Sequence, residues 1–413
     1  MRTTLNLHPY GEAFHHGEVK LAQNRVRLDL RVGEGVFSAA SVDVGTRLLL
    51  RTMAGAEYVA GGRVLDLGCG YGPLGLALAS ISPRTVVDLV DRDAVALAYA
   101  RLNAELNGPA LNGTAAVRVE PGLGWTDVPP ERTYDVIVSN VPAKVGPAAI
   151  ESWLLDGRPH LSADGVVAIV VIDRLTEDVD RALRDAGAEI LLRQANRGHL
   201  AIHYRLPTTP SGRAQPTVAV QDRGRVKFSA GKHSWTARTS WGLPEFDSLH
   251  HATRLALRVV RDIHGRPGMH AAVVGAGVGH GALALREAVR PEHLHLFDRD
   301  LLALRVSSAN LADAGFPRAA LTLHHTPLVE APAESLDVCL AVFTSPAPQK
   351  VVDAVVAGCW AALRPAGRLV LAGTSTSVTR ALERIERSKA PLLAVSRSRE
   401  KGYSAADLVR RPG

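Results

Sequence analysis

The chain has 413 residues, of which 46% are hydrophobic and 22% charged, with a formal net charge of +7. This is the composition of a soluble globular protein of two or three domains, without long biased tracts. Apolar runs such as "GVVAIVVI" at 165–172 are too short to span a bilayer, the start lacks a signal-peptide pattern, and Cys69, Cys339 and Cys359 lack metal-ligand spacing. A cytoplasmic protein is expected, with no membrane partner and no metal.

In chain order, the first clear signal is strand-like "RVLDL" at 63–67, which runs through Gly68, Gly70, Gly72 and Gly75 into a helical pattern from about Pro73. Strand-like "TVVDLVD" at 85–91 then leads to a helix from about Ala94, with Leu97, Ala98, Arg101 and Leu102 at helical spacing. "YDVIVSN" at 134–140 and "GVVAIVVID" at 165–173 read as buried strands, and "DRLTEDVDRALRDAG" at 173–187 as a polar-faced helix. This alternation predicts an α/β fold with a doubly wound, mostly parallel sheet, and puts a ligand at the carboxyl ends of the strands. "LPTTPSGRAQPT" at 206–217 reads as a linker.

Beyond it the chain repeats itself. "LGCGYG" at 67–72 returns as "VGAGVG" at 274–279, and "LVDRDAVALAYARLNAELNG" at 89–108 as "LFDRDLLALRVSSANLADAG" at 296–315, both at an offset of 207 residues. "GTRLLL" at 45–50 faces "ATRLAL" at 252–257 at the same offset, and "YDVIVSN" faces "LDVCLAV" at 336–342 at an offset of 202. Two tandem Rossmann-like domains are therefore expected, at 1–206 and 217–413, joined by 207–216.

A glycine turn after a first strand serves NAD, FAD and S-adenosylmethionine (SAM) alike, so its neighbours must discriminate. Asp66 sits two residues before Gly68, where a pyrophosphate would meet a carboxylate. A cationic donor such as SAM suits that acid, and Asp91 at the end of the next strand can accept ribose hydroxyls. Asp88 lies in mid-strand and reads as structural.

"VLDLGCGYG", "LVDRDAVALAYARLNAELNG" and "YDVIVSNVPA", with the flanks "GVFSAASVDVGTRLLL" and "NRGHLAIHYRL", resemble class I SAM-dependent methyltransferases. The subgroup they resemble is the "methyltransferase small" family, which contains ribosomal RNA guanine-N2 methyltransferases. The resemblance covers nearly all of 1–206 and fits 217–413 more loosely. It implies that Asp66, Gly68, Cys69, Gly70, Gly72, Asp91 and Arg92 hold SAM, and that Asn140, Val141 and Pro142 carry catalysis. In the family that strand ends Asn-Pro-Pro-aromatic, where an amide oxygen and a backbone carbonyl accept the two N–H bonds of an aryl amine and aim its lone pair. Here it reads Asn140-Val141-Pro142-Ala143, without the aromatic on which a base would stack; Tyr71, Phe37 and Trp125 are the residues that could replace it. Asp43 and Thr46 are candidates for shaping the pocket.

The second copy has Val273 for Asp66, Val342 for Asn140, His250 for Asp43 and Thr344 for Pro142, but keeps Gly275, Gly277, Gly279 and Asp298. It reads as catalytically degenerate, with a vestigial nucleotide pocket left open. Residues 1–206 carry 21 Lys and Arg against 24 Asp and Glu, a net of −3, and 207–413 carry 27 against 17, a net of +10. The second half is thus expected to grip RNA phosphates through Arg380, Arg384, Arg387, Lys389, Arg397, Arg399, Lys401, Arg410 and Arg411. The reading is a monomeric SAM-dependent N-methyltransferase of a guanine in ribosomal RNA. A methyltransferase of a small molecule or protein amide, and a non-catalytic RNA-binding or SAM-sensing protein, are the alternatives, with nicotinamide chemistry behind them.

Overall fold

Alternating apolar and polar residues over 15–33 produce an antiparallel hairpin, β1 (His15–Gln23) and β2 (Val26–Gly33), whose inward side chains include Leu21, Leu28 and Leu30. The computed structural model describes residues 8–54, 56, 58, 62–81, 84–108, 110, 111, 116–207, 221–388 and 392–411. The chain divides into two units, 1–221 and 222–413; apart from Pro207, the expected linker lies outside the described residues.

The first unit continues through α1 (Val44–Met53), β3 (Arg63–Leu67), α2 (Pro73–Ile81), β4 (Val86–Asp91), α3 (Ala94–Leu106), β5 (Val117–Pro121), β6 (Tyr134–Asn140), α4 (Pro147–Leu155), β7 (Leu161–Ile172), α5 (Thr176–Asp185), β8 (Glu189–Asn196) and β9 (His199–Arg205). The sheet order is β5-β4-β3-β6-β7-β9-β8, with β5 to β7 parallel and β9 antiparallel to both its neighbours. β7 reads as one apolar run because Val166–Val171 are buried in a sheet covered on both faces. One face meets α4 and α5 in a core of Leu65, Ile137, Ile169, Trp153, Val179 and Leu183, each worth about 1.5–3 kcal/mol of burial. Helix starts are set by side-chain caps: Asp43 Oδ2 accepts from the N–H groups of Gly45 and Thr46 for α1, and Asp93 Oδ1 accepts from Val95 N–H for α3. The β1–β2 hairpin is tied to α3 by Asn103 and Asn107, whose amides bond the backbone of Arg31 and Asp29. Asp88 is buried against Tyr134 Oη at 2.8 Å and the Arg118 and Arg132 guanidinium groups, a structural ion cluster.

The second unit has a hairpin β10 (Asp222–Ala230) and β11 (His233–Ser240), then α6 (His251–Arg261), β12 (His270–Val274), α7 (His280–Ala288), β13 (His293–Asp298), α8 (Leu301–Asp313), β14 (Leu321–His325), β15 (Leu336–Val342), α9 (Gln349–Ala362), β16 (Leu363–Thr374), α10 (Ser375–Arg387), β17 (Leu392–Glu400) and β18 (Tyr403–Arg410). Its sheet order, β14-β13-β12-β15-β16-β18-β17, is that of the first unit. No helix among the described residues is long and apolar enough to cross a membrane.

Candidate active site

Strand register assembles the site. Asp66 on β3 is paired with Leu89 on β4 and with Val138 on β6. Two residues further along each strand stand Gly68, Asp91 and Asn140, level with one another at the carboxyl edge where an open α/β sheet takes its ligand.

The turn after β3 is held in one shape. Gly68, Gly70 and Gly72 have φ of +78°, +58° and +89°, a conformation L side chains rarely adopt. Gly68 and Cys69 donate to Val90 O, Gly70 donates to Asp91 Oδ2 at 2.8 Å, and Gly72 donates to Cys69 O. A Cβ at Gly70 would meet nothing within 4 Å, so bare backbone faces open space there. The helix start beyond is already spoken for: Pro73 has no N–H, and Gly75 N–H donates to Asp66 Oδ2 at 2.8 Å. Two groups that a pyrophosphate would use are thus missing there, whereas a ligand carrying positive charge suits two carboxylates. On the donor set, the site fits SAM.

Asp66 is 1% exposed. Burial, opposed by the Gly75 hydrogen bond and reinforced by the Asp91 charge, pushes its pKa up to about 7. Asp91 is also raised by burial and by Asp93, while the N–H groups of Asp93 and Gly70 and the neighbouring Arg92 guanidinium favour its ionised form. Cys69 is buried, and its thiol is pushed far up by burial and by both carboxylates, so it serves through its backbone.

Asn140 is anchored from one side only. Its Nδ2 donates to Asp43 Oδ2 at 2.9 Å and to Thr46 Oγ1 at 3.2 Å. Both amide protons are thereby committed, which fixes the flip of the amide and turns Oδ1 into the acceptor offered away from α1. The oxygen of Asp43 that caps α1 is the one that orients Asn140. Val141 donates its N–H to Val170 O, and its side chain joins the core with Ala143 packed alongside.

Of the aromatic replacements considered, two are built into the core. Tyr71 is 2% exposed and donates to Ser38 O, and Trp125 is 4% exposed, donates to Ser152 O and stacks on His160. Phe37 is 71% exposed on the segment leading to Asp43; the Ser38–Tyr71 contact holds that segment over the glycine turn. Trp153, which the sequence reading missed, backs the turn: its ring lies 3.3 Å from where a Gly68 Cβ would be, and its Nε1 donates to Ser139 Oγ. Sequence alone places Trp153 on a helix face but not under that turn.

In the second unit, the α1 cap is replaced by His250 Nδ1, which accepts from Ala252 N–H, and Val273 and Val342 are apolar strand residues. The nine named basic residues of the second half differ in their partners. Arg384 pairs with Asp353, Arg387 with Glu383 and Arg410 with Glu334. Arg397 turns back onto Ser375 O and Thr379 Oγ1 of α10, and Lys389 lies outside the described residues. Acids thus pair with Arg384, Arg387 and Arg410, the first two still largely exposed; Arg380, Arg399, Lys401 and Arg411 are also exposed. Among the described residues, no group of three or more His, Cys, Asp or Glu side chains is arranged to hold a metal ion.

Residues 27–190 match the family described as methyltransferase small domain. The uncharacterized protein YbxB of Bacillus subtilis (strain 168) is 34% identical over 137 residues, 33% of this chain and 65% of that protein. The ribosomal RNA small subunit methyltransferase C of Acinetobacter baylyi is 30% identical over 174 residues, 41% of this chain and 48% of that one. Each of these matches thus spans less than two thirds of the relative's own length. The crystal structure of the T. thermophilus 16S rRNA N2 G1207 methyltransferase (RsmC), in complex with AdoMet and guanosine, is 16% identical. It covers 98% of this chain and 100% of its own with a TM-score of 0.66, a shared fold.

Proposed function

We propose that this chain, whose residues 27–190 match the family described as methyltransferase small domain, is a cytoplasmic, SAM-dependent N-methyltransferase acting on the exocyclic N2 amine of a guanine in ribosomal RNA. The observation that carries this reading is the Asn140 amide, locked by Asp43 and Thr46 beside the glycine turn. The relatives named as small subunit methyltransferases support the substrate class.

Asp66, Asp91, Arg92 and the Gly68–Gly72 turn, with the backbone of Cys69, are the groups that would hold SAM. When bound, SAM supplies a methyl group activated by its sulfonium. Asn140 Oδ1 and the Val141 carbonyl accept the two N–H bonds of the amine, drawing its lone pair out of conjugation, with Pro142 stiffening the backbone just beyond. A paired base has to be extruded to reach them, and exposed Phe37 offers the aromatic face that Ala143 lacks. Asn140 orients and needs no strong base beside it, because a methylated aryl ammonium releases its proton to water readily.

The absence of an aromatic after Pro142 favours a second reading, transfer to a smaller acceptor without a large flat ring. The test supplies purified protein and SAM to small ribosomal subunits from cells lacking the gene, and in parallel to a metabolite extract, followed by nucleoside mass spectrometry. N2-methylguanosine in the RNA is expected. Methyl incorporation confined to the extract would select the smaller acceptor.

A further inference from the structure

The second unit has lost the groups assigned to methyl transfer, yet it keeps most of the hydrogen bonds of the first glycine turn, differing at Ala276, whose N–H goes to Asp298 where Cys69 N–H goes to Val90 O. Gly275, Gly277 and Gly279 have φ of +76°, +52° and +101°, in step with the first turn. Gly275 donates to Phe297 O as Gly68 does to Val90 O, and Gly279 donates to Ala276 O as Gly72 does to Cys69 O. Gly277 N–H donates to Asp298 Oδ2 at 3.2 Å and Asp300 N–H to Asp298 Oδ1 at 2.8 Å, the pattern of Gly70 and Asp93 on Asp91. Behind the turn, Asn310 Nδ2 donates to Val278 O as Asn103 Nδ2 does to Tyr71 O.

These bonds explain the shape of the turn but not the room in front of it. A Cβ at Gly277 would meet nothing within 4 Å, as at Gly70, and Asp298 is half-buried rather than sealed. Asp298 also accepts from Ala276 N–H, and since a carboxylate offers about four acceptor positions, one remains for an incoming hydroxyl. What differs is charge: Val273 stands where Asp66 stands, so one carboxylate faces the turn where the first unit has two.

We propose that the second unit holds a separate ribonucleoside site. In it Asp298 accepts a ribose hydroxyl, the backbone at Gly277 lies against the sugar, and the occupant is uncharged beyond its 5′ carbon, as adenosine is, rather than a sulfonium cation. The claim does not depend on whether the first unit methylates RNA.

The experiment uses the full chain. Photolabelling with 8-azidoadenosine and peptide mapping locate the bound nucleoside, and calorimetry with adenosine, 2′-deoxyadenosine, SAM and NAD follows affinity in the parent, Asp298→Asn and Asp91→Asn proteins. Labelled peptides from 270–330 are expected, protected by adenosine and not by 2′-deoxyadenosine. Asp298→Asn should weaken adenosine at that site by about tenfold or more and leave the SAM isotherm unchanged. Asp91→Asn should do the reverse. Circular dichroism guards against loss of folding in either variant, and the photolabelling of the parent protein stands without any variant. Labelling confined to peptides within 60–130, with an adenosine isotherm indifferent to Asp298→Asn, overturns the second site. Preference of the second site for NAD over adenosine overturns its assigned occupant. Absence of SAM binding in the parent protein would count against the proposed methyltransferase instead, and would leave the 270–330 labelling to be judged by itself.

Discussion

Asp43 and Asn140 act through one hydrogen bond, and the capping role of Asp43 makes its second role testable. Asp43→Ser leaves an oxygen to cap α1, so folding should survive, but the shorter side chain releases Asn140 Nδ2. Turnover should fall by about 10²-fold with KM for SAM little changed. In an Asn140→Ala background the same change should cost nothing further, because the effect passes through Asn140; steady-state kinetics on the three variants checks this. Asp66 gives a second test at this scale. Its pKa is about 7 because burial disfavours the charge, and a bound cation favours it. SAM binding between pH 6 and 7 should therefore release protons, and affinity should rise with pH and flatten above about 7. Calorimetry in buffers of different ionisation enthalpy reads the released protons; Asp66→Asn should abolish both effects.

At the level of elements, the contact between α2 and the strands beneath it leaves no room for a methyl group. A Cβ at Gly75 would lie 2.3 Å from Leu89 Cδ2 and 3.0 Å from Asp66 Oδ2. Gly75→Ala should cost about 1–3 kcal/mol in a urea titration despite alanine's better helix propensity. A second elemental junction is sensitive to acid. His203 on β9 is fully buried, bonded to Thr52 Oγ1 and Tyr58 Oη, and burial lowers its pKa to about 4; His280 at the start of α7 is lowered likewise. Below pH 6.5 the unfolded chain takes up protons that the folded imidazoles refuse, so stability is full above pH 6.5 and declines as pH falls towards 4. The loss approaches about 3 kcal/mol per histidine. Denaturation midpoints at pH 7 and pH 4.5 should show it, and His203→Gln should flatten the first unit's share.

For the whole molecule, the proposed RNA substrate would meet halves of uneven charge, −3 and +10. Exposed arginines and lysines without acidic partners are the freest to contact phosphate. Replacing Arg399, Lys401 and Arg411 together should weaken RNA binding across sequences and reduce the slope of log affinity against log salt by about 2–3. Arg397→Ala, which removes the clasp on α10, should instead lower stability and leave that slope unchanged. Filter binding at several salt concentrations separates the two outcomes.

The fold was legible because its signals are local and periodic. The starts of α2 and α3 at Pro73 and Ala94, and the buried runs of β6 and β7, follow from turn chemistry and side-chain periodicity that any neighbouring residue can be checked against. The internal offset of 207 residues anticipated the common strand order of the two units. The β1–β2 hairpin escaped that reading, since its place depends on Asn103 and Asn107 reaching back more than seventy residues. Within the site, residue types at Asp66, Asp91 and Asn140 could be picked from the sequence, because charge and hydrogen-bonding capacity belong to the side chain itself. Only tertiary structure decided that Asp43 orients Asn140, that Tyr71 and Trp125 are sealed while Phe37 faces water, and that three of the seven named arginines are paired with acids. Burial and partnership are properties of the space between distant segments, and a linear order of residues does not contain that space.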